Sequence, residues 1–410
     1  MEIFKLSKRY VIIGASAAAI GAINGIRRTD QDAEIICISA EKETPYNKCF
    51  LADVLAGKKG LDQVSIFNAE QQQIKNVQLI VNTRITHIDH QHKMIHAANG
   101  FSLTYDSLLI ATGSSPYVPS IEGIKTVKGI FTFHTSRDVQ DILAYIDQKH
   151  VKRALIVGAG LSGLECGDSL RALGLAVSII EMKGQVLSTQ LDVESAHIIA
   201  MHAQRAGIDF YFNEQVISLK SEKGLACGVK LASGKELQGE LIIFATGLRP
   251  NSQIALEAGI AIENGGIMTN EYMQTSHPDI YAAGDVALVK NQINGEIMLS
   301  FLWPDAMLQG MIAGQSMAGS LKYYGGAIPI MSSAFFGIKM ASYGMLLVCP
   351  LSECSIEKNG EDFSKIFIEN DAVSAFSLIG SLALLGKLRR VLLTKSSYKT
   401  TLLGQKANSN

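Results

Sequence analysis

The chain has 410 residues, 47% of them hydrophobic, and a net charge of −1 at pH 7. That length allows two or three domains with sizeable cores, and the near-neutral balance excludes an overall field that would draw nucleic acid or an acidic surface. Cys37, Cys49, Cys166, Cys227, Cys349 and Cys354 are scattered, with no CxxC and no zinc-like pairing, so no metal site is expected and the usage suits a reducing cytoplasm.

Residues 10–13, YVII, read as a buried strand that meets GASAAA at 14–19. This is a degraded dinucleotide fingerprint: Gly14 leads, Ser16 stands second and Ala19 third. Ser and Ala are the smallest substitutes for glycine, so close backbone approach stays feasible. A helix to about Arg28 and a strand at 33–39 follow, with Glu41 just beyond. The apolar run 11–26 is broken by Gly14, Gly21, Asn24 and Gly25, and makes better sense as strand, turn and helix than as a signal peptide. The segment 45–57, PYNKCFLADVLAG, opens as a turn and continues as a helix. Lys48 there suits a pyrophosphate or the edge of a flavin ring; the plainer alternative is a solvated lysine at a helix start.

Residues 77–88 and 93–97 read as strands. Residues 105–113, YDSLLIATG, form a buried strand that ends in the small turn Ala111, Thr112, Gly113. The strongest stretch comes next. Residues 154–157 make a strand, Gly158, Gly160 and Gly163 punctuate the turn into a helix, and the strand 176–180 ends on Glu181. Gly158 permits the tight turn, Gly160 lets backbone approach a pyrophosphate, and Gly163 lets helix and sheet lie close. The helix N-terminus offers unpaired N–H groups to phosphate. An acid about 20 residues after the first glycine accepts from a ribose 2′-OH. The run 240–247, ELIIFATG, repeats the earlier construction and ends on Gly247. Each fingerprint is therefore followed by one strand ending in Ala-Thr-Gly, an internal repeat that implies two nucleotide modules, one inserted in the other.

Residues 275–285, TSHPDIYAAGD, lead a short strand into Gly284 and Asp285. Asp285 suits ligand hydroxyls or, equally, the N-cap of a following helix. Residues 301–319 carry apolar and small residues at helical spacing and read as a packed helix. Beyond Tyr323 the pattern turns to short strands at 335–344, 346–348, 365–369 and 373–379, with Asn370-Asp371 as a hairpin signal. From Lys387 to Lys406 there are basic residues and no acidic ones, which reads as a solvated tail. No stretch is long and apolar enough to cross a membrane. His134, His197 and His277 read as ordinary histidines.

The two fingerprints, both ATG turns, YAAGD and the C-terminal segment resemble the FAD- and NAD(P)H-dependent pyridine nucleotide-disulfide oxidoreductase superfamily over essentially the whole chain. Within it, PYNKCFLADVLAG and FLWPDAMLQGMIAGQSMAG are most similar to NADH:rubredoxin reductases and the flavoprotein part of NAD(P)H nitrite reductases. The implied fold is α/β: two Rossmann-like, three-layer ββα dinucleotide-binding domains, one inserted in the other, plus a C-terminal α+β domain. The corresponding boundaries are 1–113 with 248–315, 114–247, and 316–410. The resemblance implies FAD at Gly14, Ser16, Ala19, Glu41, Lys48, the 111–113 turn, Gly284 and Asp285. It implies NADH, in preference to NADPH, at Gly158, Gly160, Gly163, Glu181 and Gly247. It also implies that Glu165, two residues after Gly163, lies near flavin and nicotinamide. The implied activity carries hydride from NADH to FAD and electrons on to a small carrier protein such as rubredoxin or ferredoxin, with Glu165, Lys48 and Cys49 as candidate catalytic residues. An alternative is an NADH oxidase or a thiol or CoA-disulfide reductase using Cys49, since a single redox Cys occurs in that region of such enzymes. The CxxxxC of the disulfide-reducing branch and a siroheme-binding extension are both absent. A further alternative is a non-catalytic flavin-binding scaffold or redox sensor. A homodimer is compatible with the C-terminal segment.

Overall fold

The computed structural model describes residues 7–124, 126–344 and 353–398. The strand expected at 346–348 and Cys349 lie outside the described residues. The chain divides into two compact units. The first holds residues up to 50, 60–115 and 248–329; the second holds 51–59, 116–247 and the residues from 330 onward.

The first unit is built on a parallel five-stranded sheet. Its order is Ile280–Ala282, Ser107–Ile110, Arg9–Ile13, Glu34–Ile38, Val77–Ile80. The strands are apolar on both faces, as a sheet covered on both sides requires. Helices Ala17–Thr29 and Trp303–Met317 cover one face. The antiparallel strands Ile85–Asp89, Met94–Ala97 and Ser102–Thr104 contribute Ile85, Ile88, Ile95 and Ala97 to the same core.

The two helices meet backbone to backbone. A Cβ built on Gly21 would lie 2.2 Å from the Met307 carbonyl oxygen, and one on Gly25 2.2 Å from that of Met311. Reciprocally, a Cβ on Gly310 would lie 1.9 Å from the Ala18 oxygen, and one on Gly314 2.2 Å from that of Ala22. Each glycine weakens its helix by about 0.5–1 kcal/mol relative to alanine. The seam must offset that cost through close contact, since no larger residue fits.

The second unit has its own parallel sheet, in the order Ile208–Phe212, Ala176–Glu181, Arg153–Val157, Leu241–Phe244, Ile130–Thr132. Helix Leu161–Ala172 packs on it. Its C-terminal part is an antiparallel five-stranded sheet, Met331–Phe335, Ile338–Tyr343, Ala372–Ile379, Asp362–Glu369, Glu353–Asn359. The Asn370-Asp371 hairpin is present, with φ of 51° and 61°.

Several local expectations are corrected. The run 77–88 is two strands, because Asn82 takes a left-handed φ of 52° and turns the chain. The run 335–344 contains a turn at Phe336-Gly337, with φ of 51° and 76°, so Met331–Phe335 is a separate strand. Strand Glu353–Asn359 went unrecognised because, as an edge strand, it is exposed on both faces and its charged residues mask the alternation. The basic tail is folded where described: Leu385–Thr394 is a helix that buries Leu388, Val391 and Leu392 against Ala372–Ile379 and leaves Arg389 and Arg390 exposed. Asp285 caps no helix, since strand Ala287–Lys290 follows it.

A buried polar clamp ties the C-terminal sheet to helix Val193–Arg205. The hydroxyls of Ser195 and Ser377 lie 2.6 Å apart, both fully buried. Lys365 Nζ donates to Asp192 at 3.0 Å and to Glu194 at 3.2 Å. Burial alone would push the Asp192 carboxyl up, but bonds from Ser195 and Lys365 and the Lys365 charge hold it below its ordinary range. Burial alone would pull Lys365 down, but the two carboxylates raise it. Asp192 therefore contributes stability present above its unfolded value of about 4 and lost as pH falls through the lower folded value. Lys365 contributes stability present below about pH 10 and lost as pH rises through its higher folded value. Lys365→Met should cost about 2 kcal/mol, evenly from about pH 5 to 9. Urea unfolding followed by circular dichroism measures this; an effect already fading at pH 6 would contradict the clamp.

Candidate functional site

In the first unit the fingerprint glycine is fixed by contact. Gly14 has φ +113°, and a Cβ there would lie 2.0 Å from the Ala111 carbonyl oxygen. The Gly14 N–H donates to Ile38 O at 2.8 Å. The second fingerprint repeats this. Gly158 has φ +110°, its Cβ would lie 2.3 Å from Ala245 O, and its N–H donates to Ile180 O at 2.8 Å. The alanine of each Ala-Thr-Gly turn is thus the wall against which the fingerprint glycine packs. This gives the repeat seen in sequence a mechanical reason.

Each turn delivers a helix N-terminus. Helix Ala17–Thr29 starts after Ser16, whose side chain makes no capping bond, and helix Leu161–Ala172 starts after Gly160, which has none to offer. Unbonded first-turn N–H groups make an anion site. Ala19 is fully buried where the second fingerprint has Gly163, whose Cβ would lie 2.0 Å from Gly158 O. Nothing lies within 4 Å of a Cβ on Gly160, so that face is open for backbone approach.

Asp285 is reached from three sides. Its Oδ2 accepts from Ser114 Oγ at 2.6 Å. Burial pushes its carboxyl up, while the Ser114 bond and the Lys48 charge oppose this. The preceding Gly284, at φ +84°, would place a Cβ 3.2 Å from that of Ala18, and its N–H donates to Gln309 Oε1 at 2.8 Å. Helix Trp303–Met317 therefore sets the Asp285 loop beside the fingerprint helix. Lys48 Nζ stands 3.6 Å from Glu41 Oε1, and Tyr46 donates to the other Glu41 oxygen at 2.7 Å. Cys49 is exposed on the same short turn, Lys48–Phe50. The first Ala-Thr-Gly turn is stapled by Asn251: Thr112 donates to its carbonyl at 2.8 Å, and the Asn251 amide donates to Thr112 O at 2.8 Å. Gly113 turns with φ +65°.

In the second unit, both Glu181 oxygens are engaged, accepting from Ala159 N at 2.7 Å and Lys183 N at 2.8 Å. The carboxylate is thereby fixed at the strand end, beside the glycine turn of the second fingerprint. Gly247 turns with φ +111°, and its carbonyl accepts from Tyr117 N at 2.8 Å. Glu165 accepts from Ser333 Oγ at 2.6 Å. Burial pushes its carboxyl up, the Ser333 bond pulls it down, and the Asp53 charge pushes it up again. Ser114, Asn251 and Ser333 carried no motif, and Gln309, within the 301–319 run, was not singled out; only the position of Ser114 directly after Ala-Thr-Gly could have marked it.

The pyridine nucleotide-disulphide oxidoreductase family model matches residues 8–310. The chain belongs to this family. It is 34% identical over 333 residues to an NADH oxidase of Methanocaldococcus jannaschii, covering 80% of this chain and 73% of that one. It is 29% identical to a CoA-dependent NAD(P)H sulfur oxidoreductase of Pyrococcus abyssi, covering 90% and 81%. Among solved structures it is similar to NADH:rubredoxin oxidoreductase from Clostridium acetobutylicum, at TM-score 0.80 and 25% identity over 98% of this chain and 100% of that one. The family member described here is an NAD(P)H-dependent flavoprotein oxidoreductase with the α/β fold read from sequence, and its cofactors are FAD and NAD(P)H. The residues present fit both groups: two uncapped helix starts beside glycine turns, and a carboxylate at Asp285. Among the described residues no helix is long and apolar enough to cross a membrane.

Asp285→Ala should weaken FAD retention about tenfold or more, the scale of a charged hydrogen bond lost from a buried site. Flavin fluorescence released during ultrafiltration measures it; retention equal to wild type would remove Asp285 from the site.

Proposed function

We propose that this enzyme takes hydride from NADH onto FAD and delivers the electrons to a small redox carrier protein. The observation that carries the first half is the duplicated construction: each unit has a parallel sheet, a glycine turn walled by an alanine carbonyl, and an uncapped helix start. FAD, when bound, supplies the two-electron acceptance and the onward release of electrons. Gly14, Ser16, Ala19 and the first turn of their helix hold its pyrophosphate, Lys48 adds positive charge, and Asp285 accepts from its hydroxyls. Gly158, Gly160 and Gly163 hold the nicotinamide cofactor in the same way, and Glu181 accepts from the ribose. Glu165 presents a carboxylate that favours the positive charge NADH acquires as it gives up hydride.

The carrier reading rests on what the cysteines and the basic helix offer. Cys49 belongs to no CxxxxC, the pair through which the disulfide-reducing branch passes electrons. Arg389 and Arg390 on the exposed face of Leu385–Thr394 give an acidic carrier positive charge to dock on. A second reading is favoured by one observation, the exposure of Cys49: reduction of a thiol or CoA-disulfide substrate, beside the CoA-dependent sulfur oxidoreductase activity named for the Pyrococcus relative.

Glu181 decides the cofactor. A carboxylate locked by two backbone N–H groups cannot turn away from a 2′-phosphate, so it repels NADPH. Anaerobic NADH should bleach the flavin, and the same concentration of NADPH should do so at least about tenfold more slowly, on the scale of one unfavourable charge contact. Faster bleaching by NADPH would overturn the assignment. The reduced enzyme should then pass electrons to rubredoxin or ferredoxin, more slowly as salt rises. Turnover confined to disulfides or persulfides and lost in Cys49→Ser would move the assignment to the second reading.

A further inference from the structure

Strand Met331–Phe335 buries Met331 and Phe335 and exposes Ser332 and Ala334. Ser333 therefore shares the inward face with two large apolar side chains, where a hydroxyl needs a partner. Its partner is Glu165, to whose Oε1 it donates at 2.6 Å. No hydroxyl of helix Leu161–Ala172 itself serves that carboxylate. Ser169, one turn on, donates to backbone carbonyls, at 2.8 Å to Ala52 O and 2.9 Å to Glu165 O.

We infer that Ser333 is a positioning residue: its hydroxyl holds the Glu165 carboxylate ionised and oriented, so the C-terminal sheet governs the acid of the nucleotide module. The role rests on the reading of Glu165 given above. The sheet that contacts the second module thereby also adjusts its chemistry.

The other groups around Glu165 oppose ionisation. Helix Leu51–Leu55 brings Asp53, itself 3.8 Å from Lys59, and the Asp53 charge pushes Glu165 up. Cys166, beside it in sequence, is fully buried and its thiol is pushed up, hence neutral. Strands Arg153–Val157 and Ala176–Glu181 beneath the helix carry charge only at their ends, on Arg153 and Glu181. Strand Met331–Phe335 brings no charged group. A hydrogen bond to the charged form favours it, so removing the Ser333 hydroxyl raises the pH at which Glu165 ionises, by about one unit.

The test uses the FAD-loaded protein and two readouts. Infrared titration follows the protonated carboxyl stretch, with the Glu165 band identified as the one lost in Glu165→Gln. Ser333→Ala should move that band's midpoint up by about one pH unit, Ser333→Cys by less, and Ser333→Thr, which keeps the hydroxyl, should restore it. An unmoved midpoint in Ser333→Ala, or an equal shift in Ser333→Thr, overturns the proposal. The second readout is the pH profile of flavin reduction by NADH, whose acidic limb should move with the infrared midpoint and vanish in Glu165→Gln. A limb that persists in Glu165→Gln overturns the reading of Glu165 itself, independently of the infrared result.

Discussion

The first unit depends on a seam of four glycines. Gly21 and Gly25 on one helix and Gly310 and Gly314 on the other each face a carbonyl of the opposite backbone, too close for any side chain. The two helices come from opposite ends of the unit's sequence. One begins at the glycine turn of the first fingerprint; the other supplies Gln309, which binds the Gly284 N–H next to Asp285. The seam thus joins the glycine turn of the first fingerprint to the loop that carries Asp285. Helix propensity runs against it by about 2–4 kcal/mol over four glycines, so close packing rather than local preference holds it.

The same logic of backbone contact recurs at the turns. Ala111 O and Ala245 O occupy the space that a side chain on Gly14 or Gly158 would fill. The duplicated modules differ where the local constraint relaxes. In the second fingerprint, Gly163 is forced by the 2.0 Å approach of Gly158 O; in the first, Ala19 fits at the matching position, fully buried. The weaker sequence signal of the first fingerprint therefore reflects room for a methyl group at Ala19 that position 163 lacks.

Features with local causes were legible in the sequence. The fingerprint glycines, the Ala-Thr-Gly turns, the Asn370-Asp371 hairpin and the helix within 301–319 each show as a pattern of residues close together in sequence, even where, as at Gly14 and Ala111, the contact that fixes them is distant. Features that depend on distant pairing were not. Ser333 lies 168 residues from Glu165, and Ser114 171 residues from Asp285. A lone serine such as Ser333 carries no trace of such a partner. The helix Leu385–Thr394 was hidden for another reason: its basic residues dominate the composition, while Leu388, Val391 and Leu392 take the helical spacing that buries it. Why the N-cap reading of Asp285 fails is also tertiary, since the chain after it joins a sheet with Gly266–Met268 instead of starting a helix.

The most direct measurement is FAD stoichiometry and release rate in Gly314→Ala. Position 314 faces Ala22, more than a helical turn from the first-fingerprint turn, and makes none of the bonds described at Asp285. A single methyl there forces the helices apart, at about 1–3 kcal/mol, and should loosen FAD by about tenfold or more through the displaced Gly284–Asp285 loop. FAD held at full stoichiometry with a wild-type release rate would contradict the dependence of the site on the glycine seam.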